Sequence, residues 1–229
     1  MISDSTTIQE MFKAGAHFAF SKTRRHPSVS SYIFGVKNKV EIFNLEKTGI
    51  ALADAKTFVE SLAKDGKTIL FVGGKSEARN SIKLGAMSIN MPYVDGRWIG
   101  GTLTNFVQIR KRVEKMEKLV SEREKGELAK YTKKERLLID REIANLERFF
   151  SGIVSMKDLP KALFVVDPKS EKTAVKEAQD IGIPVLALSG SDCNIKGIDY
   201  PIVGNDASRS SISFFIQEII KSYSKGKVV

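Results

Sequence analysis

Three runs of consecutive apolar residues stand out from a chain that otherwise mixes apolar and polar positions: Thr68-Ile69-Leu70-Phe71-Val72, Ala162-Leu163-Phe164-Val165-Val166 and Ile183-Pro184-Val185-Leu186-Ala187-Leu188. A strand covered on both faces has no polar side, so runs of this length between turn residues predict central strands of a parallel sheet. Helical spacing separates them. Ile50, Leu52, Ala55, Phe58, Val59 and Leu62 mark an amphipathic helix ended by Asp65-Gly66, and Gly73-Gly74-Lys75-Ser76 leads into a helix running to about Gly85. Thr173 to Asp180 reads as a third helix. Met91–Val94 and Tyr200-Pro201-Ile202 read as short strands. Asp206 is expected to cap a final helix that buries Ile212, Phe215, Ile216, Ile219 and Ile220, followed by a basic, mobile tail over residues 221–227.

Near the N-terminus, Ile8, Met11 and Phe12 predict a short helix stopped by Gly15. Tyr32-Ile33-Phe34 and Val40-Glu41-Ile42-Phe43 predict a β-hairpin whose tip is Gly35-Val36-Lys37-Asn38-Lys39.

The pattern changes after Asn105. Ile109, Val113, Met116 and Val120 are spaced four, three and four apart, and Ile139, Ile143, Leu146 and Phe150 repeat that spacing. Lys125-Gly126 interrupts the two, and Thr132-Lys133-Lys134-Glu135 is a capping-box sequence. Two helices with matching seams predict an antiparallel coiled-coil hairpin. The fold class is therefore α/β: a doubly wound parallel sheet in a discontinuous domain, residues 1–104 and 153–229, with a hairpin inserted over residues 105–152.

Charge sharpens the functional question. The 229 residues carry 37 Lys and Arg against 27 Asp and Glu, a net +10, which favours a polyanionic partner. From Met11 to Val40 there is no acidic residue, while Lys13, Lys22, Arg24, Arg25, Lys37 and Lys39 all fall there, interleaved with His17, Phe18, Phe20, His26 and Tyr32. Cations release counterions from phosphate and rings stack on bases, so the mixture suits RNA better than a lipid surface. Phe18 and Phe20 also read as core anchors of a solvated basic loop. One cysteine and two histidines give no disulfide and no usual zinc set. The absence of an apolar run of membrane length, and of a signal-peptide pattern, predicts a soluble cytoplasmic protein.

Catalytic chemistry is sparse. Gly74-Lys75-Ser76 lacks the glycine a phosphate-binding loop needs five positions earlier, where Ile69 stands, and there is no G-x-G-x-x-G. A helix N-terminus beside Lys75 retains the capacity to hold one phosphate; the alternative is a plain turn. Asp167-Pro168 reads as a turn-forming cap, with a phosphate acceptor or metal ligand as the sharper alternative, and no second carboxylate is near it in sequence. His17 reads as a structural histidine with its hydrogen bonds satisfied. No enzyme, cofactor or metal is expected.

Several stretches together carry a resemblance. They are Ala14-Gly15-Ala16-His17-Phe18, Tyr32-Ile33-Phe34-Gly35, Leu70-Phe71-Val72-Gly73-Gly74-Lys75, Lys133-Lys134-Glu135, Leu159-Pro160, Glu177-Ala178 with Gly182-Ile183-Pro184, Gly204-Asn205-Asp206 and above all Arg97-Trp98-Ile99-Gly100-Gly101-Thr102-Leu103-Thr104-Asn105-Phe106. In this order they resemble the bacterial family of small ribosomal subunit protein two, over nearly the whole chain. The chain departs from that family's pattern at Ala19-Phe20, Arg25-His26-Pro27, Gly190–Ile195 and Ala207-Ser208. The resemblance implies a flavodoxin-like sheet with an inserted coiled-coil hairpin and a non-enzymatic role. It also implies binding to small-subunit ribosomal RNA, and contact with neighbouring small-subunit proteins including the large mRNA-binding protein numbered one. Lys22, Arg24, Arg25, Lys37, Lys39, Lys75, Arg79, Arg97 and Arg110 are expected to meet phosphate, with Trp98 and Asn105 alongside. Gly100 and Gly101 allow a sharp turn, Thr102 or Thr104 is expected to cap the outgoing helix, and Trp98 reads as either a core anchor or an RNA-facing ring.

Overall fold

The computed structural model describes residues 5–227. Helix α1 (Ser5–Lys13) leads into a small antiparallel sheet of β1 (Phe18–Ser21), β2 (Ile33–Lys37) and β3 (Val40–Phe43), in the order β1-β3-β2. The hairpin turn is tighter than the five-residue tip expected from sequence. Strand β2 runs on to Lys37, and only Asn38 and Lys39 turn, both with positive φ (51° and 66°). Two consecutive left-handed residues are what a two-residue turn between twisted strands requires. Strand β1 is a finding the sequence pattern did not announce, because Phe18-Ala19-Phe20-Ser21 lies in the stretch read as a loop.

Helix α2 (Leu45–Lys64) starts earlier than its apolar spacing suggests, because the Asn44 side chain accepts from the amides of Glu46 and Lys47 at 3.0 and 3.2 Å. Then come β4 (Ile69–Val72), α3 (Arg79–Ser88), β5 (Tyr93–Val94), α4 (Phe106–Glu124), α5 (Lys133–Phe150), β6 (Ala162–Val166), α6 (Lys172–Asp180), β7 (Val185–Ser189), β8 (Tyr200–Val203) and α7 (Arg209–Lys227). The last five strands form one parallel sheet in the order β5-β4-β6-β7-β8. Numbered within the sheet this is 2-1-3-4-5, the order of flavodoxin-like sheets.

Alternation along the strands divides two cores. Ile69, Phe71, Phe164, Val166, Leu186 and Leu188 meet α2, α3 and α7 on one face. Leu70, Val72, Leu163, Val165, Val185 and Ala187 meet α6, Trp98 and the inner faces of α4 and α5 on the other. In α4 the buried residues are Ile109, Val113 and Met116; in α5 they are Ile143, Leu146 and Phe150. The Thr132–Glu135 capping box closes at the start of α5.

Two expectations for the C-terminal part are corrected. Residues 221–227 are not a loose tail among the described residues: α7 runs through Lys227, Tyr223 is buried, and its hydroxyl donates to the Lys67 carbonyl at 3.0 Å. Gly226 lets this turn close on α2, since a Cβ there would sit 2.6 Å from the Glu60 carbonyl oxygen. Asp206 does not cap α7. The amides of Ala207 and Ser208 bond the Asn205 side chain instead, and Asp206 turns inward.

Candidate nucleic-acid interface

The segment from Arg97 to Phe106 folds around one carboxylate. Glu177, one turn into α6, accepts from the Trp98 indole Nε1 at 3.0 Å and from the Gly101 amide at 2.8 Å through Oε1. Its Oε2 accepts from the amides of Leu103 and Thr104 at 3.0 and 3.3 Å and from the Thr104 hydroxyl at 3.4 Å. Burial alone would push the Glu177 carboxyl up, but these hydrogen bonds outweigh it and hold the group below the usual carboxylate range. Gly101 turns the chain with φ +89°, and the Thr102 hydroxyl donates back to the Ile99 carbonyl at 2.6 Å. Neither threonine therefore caps α4, which starts after Asn105 without a side-chain cap.

Trp98 is 7% exposed and packs within the second core, as the core-anchor reading expects. Arg97, Gly100, Thr104 and Asn105 are exposed.

The predicted cations divide into two groups. Lys22, Arg24, Lys37, Lys39, Arg79 and Arg97 are exposed. Arg24 lies over the Phe20 ring at 4.3 Å and reaches Asp192 at 3.5 Å, and the Arg79 Nε donates to the Gly74 carbonyl at 3.1 Å. Arg25, Lys75 and Arg110 are half-buried and bonded to partners within the protein. Arg25 pairs at 2.8 Å with Glu41, whose side chain is fully buried. Arg110 donates to the Val154 carbonyl at 2.9 Å and leans towards Glu114 at 3.7 Å.

Lys75 sits at the carboxyl ends of the strands, 3.2 Å from both Asp167 Oδ2 and Asp206 Oδ2. Folding thus supplies the second carboxylate that Asp167 lacks in sequence. Burial pushes Lys75 down, yet Asp206 and Asp167 outweigh it and its ammonium is held above the usual range. Asp167 also feels burial first, but its bonds from Ser170 and Lys75 hold it low. Asp206 is more deeply enclosed, and burial pushes it up to about 6 despite Lys75. The Gly74 amide donates to Glu171 at 3.0 Å. Two of the groups that could have held a phosphate at this turn, the Gly74 amide and the Lys75 ammonium, are engaged within the protein. Ligand atoms of Asp167, Cys193 and Asp206 lie within 4.8 Å of one another. Metals bind the thiolate, and burial pushes the Cys193 thiol far up, while Lys75 already supplies the positive charge. The cluster fits an internal ion pair better than a metal centre.

His17 lies between Phe12 and Phe18, with ring centroids 4.3 and 4.0 Å away. Its Nδ1 has no hydrogen-bond partner among the described residues, so it is held by stacking, and burial pushes its pKa down.

The sequence profile of the family described as Ribosomal protein S2 matches residues 11–226. The chain belongs to the ribosomal protein S2 family. It is 41% identical over 223 residues to the small ribosomal subunit protein uS2 of Sulfurimonas denitrificans, covering 97% of this chain and 86% of the relative. It is 42% identical over 222 residues to the uS2 protein of Nitratiruptor sp., covering 96% and 83%. Members of the S2 family are structural constituents of the small ribosomal subunit, and this chain is one of them. Among the described residues no helix is long and apolar enough to cross a membrane.

Glu177 was placed by sequence reasoning among the residues that carry the family resemblance but was given no role, although a signal for one exists. It stands between Val175 and Ala178 on the buried face of α6, where a carboxylate requires a donor set.

Proposed function

We propose that this S2 protein binds small-subunit ribosomal RNA through the exposed residues Lys22, Arg24, Lys37, Lys39, Arg79, Arg97 and Asn105. The observation that carries the reading is the fate of the acid-free window. It folds into β1, the β2–β3 hairpin and their connecting turns, with Lys22, Arg24, Lys37 and Lys39 all on the outside. Exposed cations without an acidic neighbour in sequence suit a phosphate backbone, and the solvent-facing Phe18 and Phe34 beside them suit stacking. Arg25, Lys75, Arg110 and Trp98 act in this reading as internal supports.

The domain organisation in the same reading is a discontinuous α/β body, residues 1–104 and 153–229, with residues 105–152 as an antiparallel coiled-coil hairpin. The buried seams of α4 and α5 support it, as does the Lys115–Glu142 ion pair between them. The outer faces of that hairpin are open to neighbouring small-subunit proteins, the large mRNA-binding protein among them, in the cytoplasm.

The test is binding to a small-subunit RNA fragment over a range of salt. Affinity should fall steeply with salt, and Lys37→Glu with Lys39→Glu should weaken it at least tenfold and flatten the salt dependence. Salt-independent binding, or indifference to the double reversal, contradicts the reading. Cosedimentation of the native protein with small subunits tests assembly.

A further inference from the structure

A second basic surface lies outside the acid-free window. A cleft of about 610 Å³ opens beside α6 and the loop over residues 192–198, with His26 at its edge. Lys169, Lys172, Lys176 and Lys196 line it, against the carboxylates of Asp180 and Asp192. Asp192 is already engaged, by Lys169 at 2.7 Å and by Arg24 at 3.5 Å. Lys172, Lys176 and Lys196 are exposed and make no ion pair among the described residues.

Like charges on one helix face repel, and Lys172 and Lys176 are one turn apart on α6. Nothing in the fold requires them there, since the side of α6 that packs is Ala174, Val175, Glu177 and Ala178. The opposite wall is fixed before any ligand arrives. The Gln179 side-chain amide donates to the Gly197 carbonyl at 2.7 Å, and the Lys196 amide donates to Asn194 Oδ1 at 3.0 Å. His26 accepts the Ser28 amide on Nδ1, which places the proton of the neutral ring on Nε2 as a donor.

The lining also says which anion fits. Its apolar part is Pro168, Val175 and Ile198, and apart from His26 it has no ring on which a base could be clamped. Cations spread along an open trench suit successive phosphates of a chain better than one nucleotide. Arg24 joins the trench to the window already assigned to RNA through their shared partner Asp192.

We infer that the α6 cleft is a second phosphate-backbone track, which extends RNA contact from Arg24 along Lys169, Lys172, Lys176 and Lys196. This rests on the RNA-binding reading above. The test compares two variants of the full chain for binding a small-subunit RNA fragment: Lys172→Gln, Lys176→Gln, Lys196→Gln in the cleft, and Lys37→Gln, Lys39→Gln in the hairpin. All five positions are exposed, so melting temperatures should match the parent. The cleft variant should bind at least tenfold more weakly at low salt. Its salt slope should shrink by about 2, from three lost contacts at ~0.7 each. If the hairpin variant weakens and the cleft variant binds like the parent, the track is wrong while RNA binding stands. If neither changes, both readings fall. If pyrophosphate raises the parent's melting temperature but not the cleft variant's, and RNA affinity is equal in both, the cleft takes a small anion and the track is overturned.

Discussion

The indole Nε1 of Trp98 donates to Oε1 of Glu177 at 3.0 Å, across 79 positions of sequence. That bond ties the loop leaving the sheet to α6 on the same side of the molecule. Among the described residues Glu177 makes no ion pair; its charge is met by two backbone amides, a third at longer range, a hydroxyl and the indole. Glu177→Ala would leave those buried donors unpaired, so it should cost about 3–5 kcal/mol of unfolding free energy in urea titration. Trp98→Phe keeps most of the ring and removes only one donor, and should cost about 1–2 kcal/mol. Equal effects would show that ring packing, not the carboxylate, holds the loop.

Much of this fold was legible because sheets and helices impose periods on sequence. The fully apolar runs became β4, β6 and β7, and three of the four positions in each four-three-four seam are buried in α4 and α5, while Val120 and Ile139 are only half-buried. Strand β1 was not legible. Phe18 is 52% exposed and Ala19 and Phe20 only half-buried, so neither alternation nor a continuous run marks it, and it exists through pairing with β3. The site was half legible. Local pattern named the cations but could not say which of them meet carboxylates brought from elsewhere, because Lys75 and Asp206 stand 131 positions apart.

Removing that shared cation is the sharper probe of the strand-end cluster. Lys75→Met leaves Asp167 and Asp206 facing each other in a buried site, at a cost of about 3–5 kcal/mol. Protonation relieves the repulsion, so the loss measured by thermal melting should be larger at pH 8 than at pH 5. A loss that ignores pH would mean the lysine acts through its methylenes alone.

Asp206 gives a pH dependence of unusual sign. Its folded pKa, about 6, lies above the unfolded value of about 3.9. The native state therefore binds the extra proton, and this group's contribution is greatest below the unfolded pKa and is lost as pH rises through about 6. The span is on the order of 3 kcal/mol. Glu177 works in the opposite direction, stabilising above the unfolded carboxylate range and failing as pH drops through its lowered value. Asp206→Asn should shrink the decline between pH 4 and 6 and leave the acid limb in place, the remainder belonging to Glu171, whose carboxyl burial also pushes up. A decline unchanged in this variant would assign it to another group.

Arg24 and Arg25 are adjacent, chemically identical and equally basic in sequence, yet the fold gives them different work. Arg25 is the partner of Glu41, whose side chain is fully buried in the small sheet, and the pair closes at 2.8 Å. Arg24 is exposed, rests on Phe20 at 4.3 Å, and touches Asp192 only at 3.5 Å. An exposed contact of that kind contributes little to stability, whereas an unpaired buried carboxylate costs about 3 kcal/mol or more. Arg25→Gln should therefore lower the urea midpoint clearly, and at temperatures where it stays folded its RNA salt slope should match the parent. Arg24→Gln should melt like the parent and lose about one unit of that slope. The two readouts should separate the residues completely. If Arg25→Gln melts normally and binds RNA weakly, Glu41 is not its working partner, and the division between internal and phosphate-facing cations has to be redrawn.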